Sequence, residues 1–154
     1  MVQNWLIAMP FTNDVVFVDT NILIYAHDRD AGLRWQRATQ ALDQLWTTRT
    51  GRMSVQVLQE FFAVATRKLK APVEVATARE VIRNYAPWVT APTDVNTVLR
   101  ASEIAEVAQI SFWDGMIVAA AERSGAATLY TEDLNDGQVI AGIRIVNPLA
   151  EEPV

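Results

Sequence analysis

Four apolar residues in succession, Val15-Val16-Phe17-Val18, stop abruptly at Asp19-Thr20-Asn21. A short unbroken run of β-branched and aromatic residues predicts a strand buried on both faces, as in a parallel sheet. Ile22 to about Asp28 predicts a short helix or turn, and Trp35 to Trp46 a helix carrying Ala38, Leu42 and Leu45. Arg49 to Arg52 reads as a loop and Met53-Ser54-Val55 as a short second strand. From Val57 to Lys70, the apolar residues Leu58, Phe61, Phe62, Ala65 and Leu69 recur at helical spacing, and Pro72 ends the pattern.

Val75 to Tyr85 predicts another helix, ended by Pro87, and Trp88-Val89 a short strand. Thr93-Asp94 opens a helix containing Val95, Val98, Leu99 and Ala105. Ser111 opens a further helix, Phe112 to Ser124, with Arg123 in its last turn and Gly125 closing it. Ala127 to Thr131 and Ile143 to Val146 predict the last strands. Strands alternating with helices, without internal repeats, imply a three-layer α/β/α sandwich around a central parallel sheet. At 154 residues the chain is long enough for one domain with a sizeable core, expected over residues 15–150 behind an arm at 1–14.

In an open α/β sheet, ligands sit at the carboxyl ends of the strands. Asp19, Thr20 and Asn21 fall there, although Asp19 and Thr20 also suit the plainer role of capping the next helix. Asp133 follows the strand ending near Thr131, and Asp136 comes a short turn later. Strand alternation turns Glu132 the other way, towards solvent. Glu60 lies just off the apolar stripe of its helix, where an unpaired carboxylate is costly. Asp114 stands three residues after Ser111, which fits a capping box but equally places an acid at a helix start that favours negative charge.

Four carboxylates in one pocket cannot all stay ionised without a cation, because two of them about 4 Å apart repel by roughly 4 kcal/mol at an effective dielectric near 20. All-oxygen ligation selects a hard ion, Mg²⁺ or Mn²⁺. Such ions bind phosphates and activate water, which points to phosphodiester hydrolysis.

Composition narrows the alternatives. No cysteine is present, which excludes disulfides, thiolate zinc and a cysteine nucleophile and fits a cytoplasmic protein. The start around Trp5 to Met9 lacks a basic region before it and is too short to span a bilayer. A net charge of −5 argues against indiscriminate coating of nucleic acid. Yet the residues through Lys70 carry eight basic against six acidic side chains, and those from Ala71 onward five against twelve. That asymmetry is compatible with a basic groove beside an acidic centre, with Arg29, Arg34, Arg49 and Arg52 as phosphate contacts. A haloacid-dehalogenase-like phosphatase would need an acid where Asn21 stands. The chain's single histidine, His27, leaves no acid–base pair for a histidine ribonuclease.

Taken together, Val16 to Leu23 around Asp19-Thr20-Asn21, Glu60 within Leu58 to Phe61, Phe112-Trp113-Asp114, Leu129 to Gly137 and Val146-Asn147-Pro148 resemble the PIN domain, and within it the VapC-type toxins of bacterial toxin–antitoxin pairs. The resemblance runs in order from Val16 to Pro148. It implies a Mg²⁺- or Mn²⁺-dependent endoribonuclease with a sheet order near 3-2-1-4-5, often a homodimer, held by a cognate antitoxin. It further implies Asp19, Glu60, Asp114 and Asp133 as metal-binding acids, with Thr20, Asn21 and Thr131 as supporting polar groups. Two departures stand out: Gly115 where alanine is usual, and Gly137 where phenylalanine is common. The alternative is a non-catalytic PIN-like module for RNA binding or protein interaction.

Overall fold

In the computed structural model, which describes residues 13–150, the predicted first strand is β1, Val16–Val18, with all three residues buried. It runs into α1 (Thr20–Ala26), a single 3₁₀ turn (Arg29–Ala31) and α2 (Leu33–Thr48). Then come β2 (Gly51–Arg52), α3 (Val55–Ala65), α4 (Val75–Tyr85), a second 3₁₀ turn (Ala86–Trp88), α5 (Val95–Ala108) and α6 (Phe112–Arg123). The chain finishes with β3 (Thr128–Tyr130), β4 (Val139–Ile140) and β5 (Ile143–Val146). Residues 1–12 of the expected N-terminal arm lie outside the described residues.

The sheet order is β2-β1-β3-β5-β4. All pairings are parallel except β4 with β5, an antiparallel hairpin that the sequence patterning did not reveal. Beyond β2, Met53 makes one parallel bridge to Val89. Counting that bridge as a residual strand recovers the order 3-2-1-4-5 with an added antiparallel edge. Phe17, Val18, Leu129 and Ile145, from the three central strands, are fully buried. One group of helices forms where α1 packs on α2 and α3; α5 and α6 pack together, with α6 also against β3 and β5. The α/β sandwich is therefore as expected.

Three local expectations change. The second strand is Gly51–Arg52 rather than Met53 to Val55, because Ser54 turns the chain into α3 and its hydroxyl accepts from Val57 N–H. The helix expected to reach Lys70 ends at Ala65, where the Thr66 hydroxyl donates to the Phe62 carbonyl and competes with continued helix. Trp88-Val89 forms only the end of a 3₁₀ turn and a single bridge, since Pro87 has no N–H to contribute to a ladder.

Two glycines set how closely the layers approach. A Cβ on Gly51 would lie 2.4 Å from the Trp88 ring, and one on Gly115 would lie 2.6 Å from the Ala101 carbonyl oxygen. Gly115 is thus the contact that lets α6 close on α5. Gly137 has a φ of +85°, a left-handed backbone in which phenylalanine would be strained.

Candidate active site

Parallel pairing places the first two candidate groups. The register Val16 with Thr128, Phe17 with Leu129 and Val18 with Tyr130 carries Asp19 and Thr131 out side by side at the carboxyl edge. Asp19 N–H still donates to the Tyr130 carbonyl at 3.0 Å, and Thr131 N–H to that of Val146 at 3.1 Å. Both side chains are buried. Asp19 Oδ2 accepts from the Thr131 hydroxyl at 2.8 Å, and Oδ1 accepts from Thr20 N–H at 2.7 Å. The capping role is therefore real, but it occupies one carboxylate oxygen only.

From this pair the network reaches outward. The Thr20 hydroxyl donates to Glu60 Oε2 at 3.0 Å, and Gln56, one turn earlier on α3, donates to Glu60 Oε1 at 3.1 Å. Asn21 Nδ2 donates to Asp133 Oδ2 at 3.0 Å, while Asp133 N–H donates to the Thr131 hydroxyl oxygen at 3.1 Å. Asp19, Glu60 and Asp133 thus share one hydrogen-bonded network through Thr20, Asn21 and Thr131. Asp114 joins through charge: it sits in the first turn of α6, its N–H donating to the Ser111 hydroxyl, and its carboxyl feels Asp133 and Glu60.

The electrostatics follow from burial. The Asp19 carboxyl is pushed up from 3.8 to about 7, chiefly because burial penalises its charged form. The Thr131 and Thr20 hydrogen bonds pull it down, and Asp133 and Glu60 add to the rise. Partial burial likewise raises Asp114, against the stabilising Ser111 contact.

Among the described residues, no three carboxylates or imidazoles stand close enough together to ligate one ion. Glu60 and Asp133 are exposed, each turned to its own hydrogen-bond partners. The donor set nevertheless fits a hard cation: every polar group is an oxygen or an amide, and Asn21 Oδ1 and Gln56 Oε1 are buried acceptors without a partner.

Other expected groups lie elsewhere. Asp136 accepts from Asn147 N–H at 2.9 Å and ties down the β3–β4 connection instead of entering the network. Glu132 is half-buried and accepts from the Tyr25 hydroxyl at 2.9 Å, contrary to the expected solvated side chain. The chain leaves β3 at Tyr130, so strand alternation no longer governs position 132. His27 packs edge-on against Phe61, its Nδ1 3.0 Å from the Leu23 carbonyl oxygen. Arg49 caps the carboxyl end of α2, ahead of β2 and so at the opposite, amino end of the parallel strands. Arg52 turns back to the Gly51 carbonyl.

Two participants escaped the sequence reading: Tyr25 and Gln56. Both were signalled by helical spacing, Tyr25 four residues after Asn21 and Gln56 four before Glu60.

A PIN-domain family model matches residues 16–137, most of the chain and nearly all of the network just described. The chain belongs to the PIN domain family. PIN domains are in general nucleases that use divalent metal ions. A solved structure of VapBC2 from Rickettsia felis, bound to a DNA fragment from its promoter, contains a chain of similar fold. The TM-score is 0.54 at 15% identity, over 85% of this PIN domain chain and 96% of the other. No curated protein matches the sequence. No single helix among the described residues is long and apolar enough to cross a membrane.

Proposed function

We propose that this PIN domain, acting as one unit over residues 15–150, is a divalent-metal-dependent endoribonuclease that hydrolyses RNA phosphodiester bonds in the cytoplasm. The observation that carries the reading is Asp19. A carboxylate buried at the carboxyl edge of a parallel sheet, and raised further by two neighbouring acids, is expensive to keep unless a cation compensates it. Asp19, Glu60, Asp114 and Asp133 are the residues assigned to hold Mg²⁺ or Mn²⁺. A hard divalent ion there neutralises phosphate charge and lowers the pKa of bound water.

The chain's own groups orient those acids. Thr131 fixes Asp19 Oδ2, Thr20 fixes one oxygen of Glu60, and Asn21 fixes Asp133. Such outer hydrogen bonds hold ligands in place, and losing one typically costs about 10–100-fold in metal affinity or activity. Occupation of the site requires Asp19 to lose its proton, so metal affinity rises with pH up to about 7.

The likeness in fold to VapBC2 supports a further step: that the protein is the toxin of a pair, silenced by a cognate antitoxin; that it works as a homodimer is what the family resemblance implies. The competing reading, a non-catalytic module, draws on the separation of the four carboxylates. Purified protein incubated with tRNA and rRNA decides between them. Cleavage that needs Mg²⁺ or Mn²⁺ and disappears in Asp19→Asn supports the nuclease. No cleavage, with no Mn²⁺ binding by calorimetry, supports the module.

A further inference from the structure

Two cavities of about 480 and 520 Å³ lie along α2 and share Arg37 and Ala150 in their walls. Together they form a trough running from Glu132 and Asn147 past Arg34 and Arg37 to Gln40 and Gln44. Ten residues of helix separate Arg34 from Gln44, about 15 Å at the α-helical rise. Glu132 joins Thr131 to Asp133, so one mouth of the trough opens beside the acids.

Both arginines are held in place, with no charge partner among the described residues. Arg34 stacks over the Tyr25 ring at 5.6 Å, and Arg37 donates through Nη1 to the Leu149 carbonyl at 3.0 Å. Neither forms an ion pair with a described carboxylate, whereas Arg83, Arg100 and Arg123 all do. A guanidinium carries five donors, and one bond to a carbonyl leaves the rest for a ligand. Glu132 is the only acid among the described residues that line either cavity, and its carboxylate is engaged by the Tyr25 hydroxyl. Two positioned cations followed by two amides, on one side of a groove, suit a phosphodiester backbone with further polar contacts along it.

We infer that this trough along α2 binds the phosphate backbone of the substrate on one side of the cleaved bond, with Arg34 and Arg37 as its phosphate contacts. The inference rests on the ribonuclease reading for the identity of the strand. It replaces Arg49, which lies at the amino end of the parallel strands, and Arg52, whose guanidinium turns back to the Gly51 carbonyl, as the basic track.

The test is binding, read separately from cleavage. Fluorescence anisotropy with a short single-stranded oligoribonucleotide of mixed sequence, in EDTA, is followed over a range of salt concentrations. Removing two phosphate contacts flattens the slope of log affinity against log salt by about 1.4 on a single strand. That is the expected result for Arg34→Gln/Arg37→Gln, with weaker binding throughout, while Arg49→Gln/Arg52→Gln keeps the wild-type slope. Because Arg37 also ties down Leu149, the exposed Arg34→Gln alone, checked by thermal melting, must give about half the change. An unchanged slope in the first pair, or an equal loss in the second, overturns the trough. RNA binding with the expected slopes but no cleavage under any metal would keep the trough and remove the nuclease. Metal-dependent cleavage with unchanged slopes would do the reverse.

Discussion

The two ends of the sheet hold together by opposite means. At the amino side of the β2 edge, Trp46, Tyr85 and Trp88 stack on one another with ring centres 4.7–5.1 Å apart. Trp88 lies over Gly51, where hydrogen is the only side chain that fits. That region is neutral and held by packing. At the carboxyl end, Asp19 is buried against its own electrostatics, with Glu60, Asp114 and Asp133 around it. There, hydrogen bonds hold in place groups that repel. A fold accepts such a region where function needs it and offsets the cost elsewhere.

The largest effect should come from neutralising Asp19. Its rise from 3.8 to about 7 corresponds to roughly 4 kcal/mol at 1.36 kcal/mol per unit. The folded state binds this proton more tightly than the unfolded state, so the contribution of Asp19 to metal-free stability is fully present below pH 3.8 and is lost as pH rises through about 7. Asp19→Asn should therefore melt higher than wild type at pH 8 in EDTA, with the difference shrinking towards pH 4. The same variant should lose cleavage. Added Mn²⁺ should raise the wild-type melting temperature and leave the variant's little changed. A variant less stable than wild type at pH 8 would mean that Asp19's hydrogen bonds outweigh its burial.

The neutral end is tested by adding one carbon. Gly51→Ala puts a methyl into the Trp88 ring and should cost about 1–3 kcal/mol in urea unfolding, with Mn²⁺ affinity unaltered. Gly115→Ala sharpens the comparison because it is overpacked yet adjacent to Asp114. Alanine gains up to about 1 kcal/mol in helix propensity but collides with the Ala101 backbone. It should lose stability overall and, unlike Gly51→Ala, weaken metal binding as α6 shifts.

What could be read from the sequence follows the same division. β1 and its polar end were legible because a buried strand needs an unbroken apolar run, and Asp19, Thr20 and Asn21 are contiguous with it. The convergence of Asp19 and Thr131 followed from two strands ending at one edge. β2 and β4 are two residues each, too short to carry a period, and Gly51 is chosen by a tryptophan far along the chain. Charge sums drew Arg49 into a basic groove, but only the parallel register places it at the amino end. Glu132 was misjudged because alternation was extended past the last strand residue. Gly115 stood out only as a departure from the usual alanine, whereas its role is the approach of α5, which no local pattern encodes.

The smallest effect expected is also the most specific to the charged end. Asn21 and Tyr25 lie one turn apart on α1, and each holds a residue of the segment after β3: Asn21 holds Asp133 and Tyr25 holds Glu132. Removing the Tyr25 hydroxyl leaves the ring under Arg34 and deletes one hydrogen bond, so Tyr25→Phe should cost only about 0.5–1.5 kcal/mol. If the clamp positions Asp133, however, Mn²⁺ affinity by calorimetry should fall by up to about tenfold, the lower end of what an outer partner contributes. Glu132→Gln supplies the control, because its amide oxygen still accepts from the phenol and should keep most of that affinity. A loss in Glu132→Gln but not in Tyr25→Phe would assign the effect to the charge of Glu132, and no loss in either would reduce the pair to a surface contact.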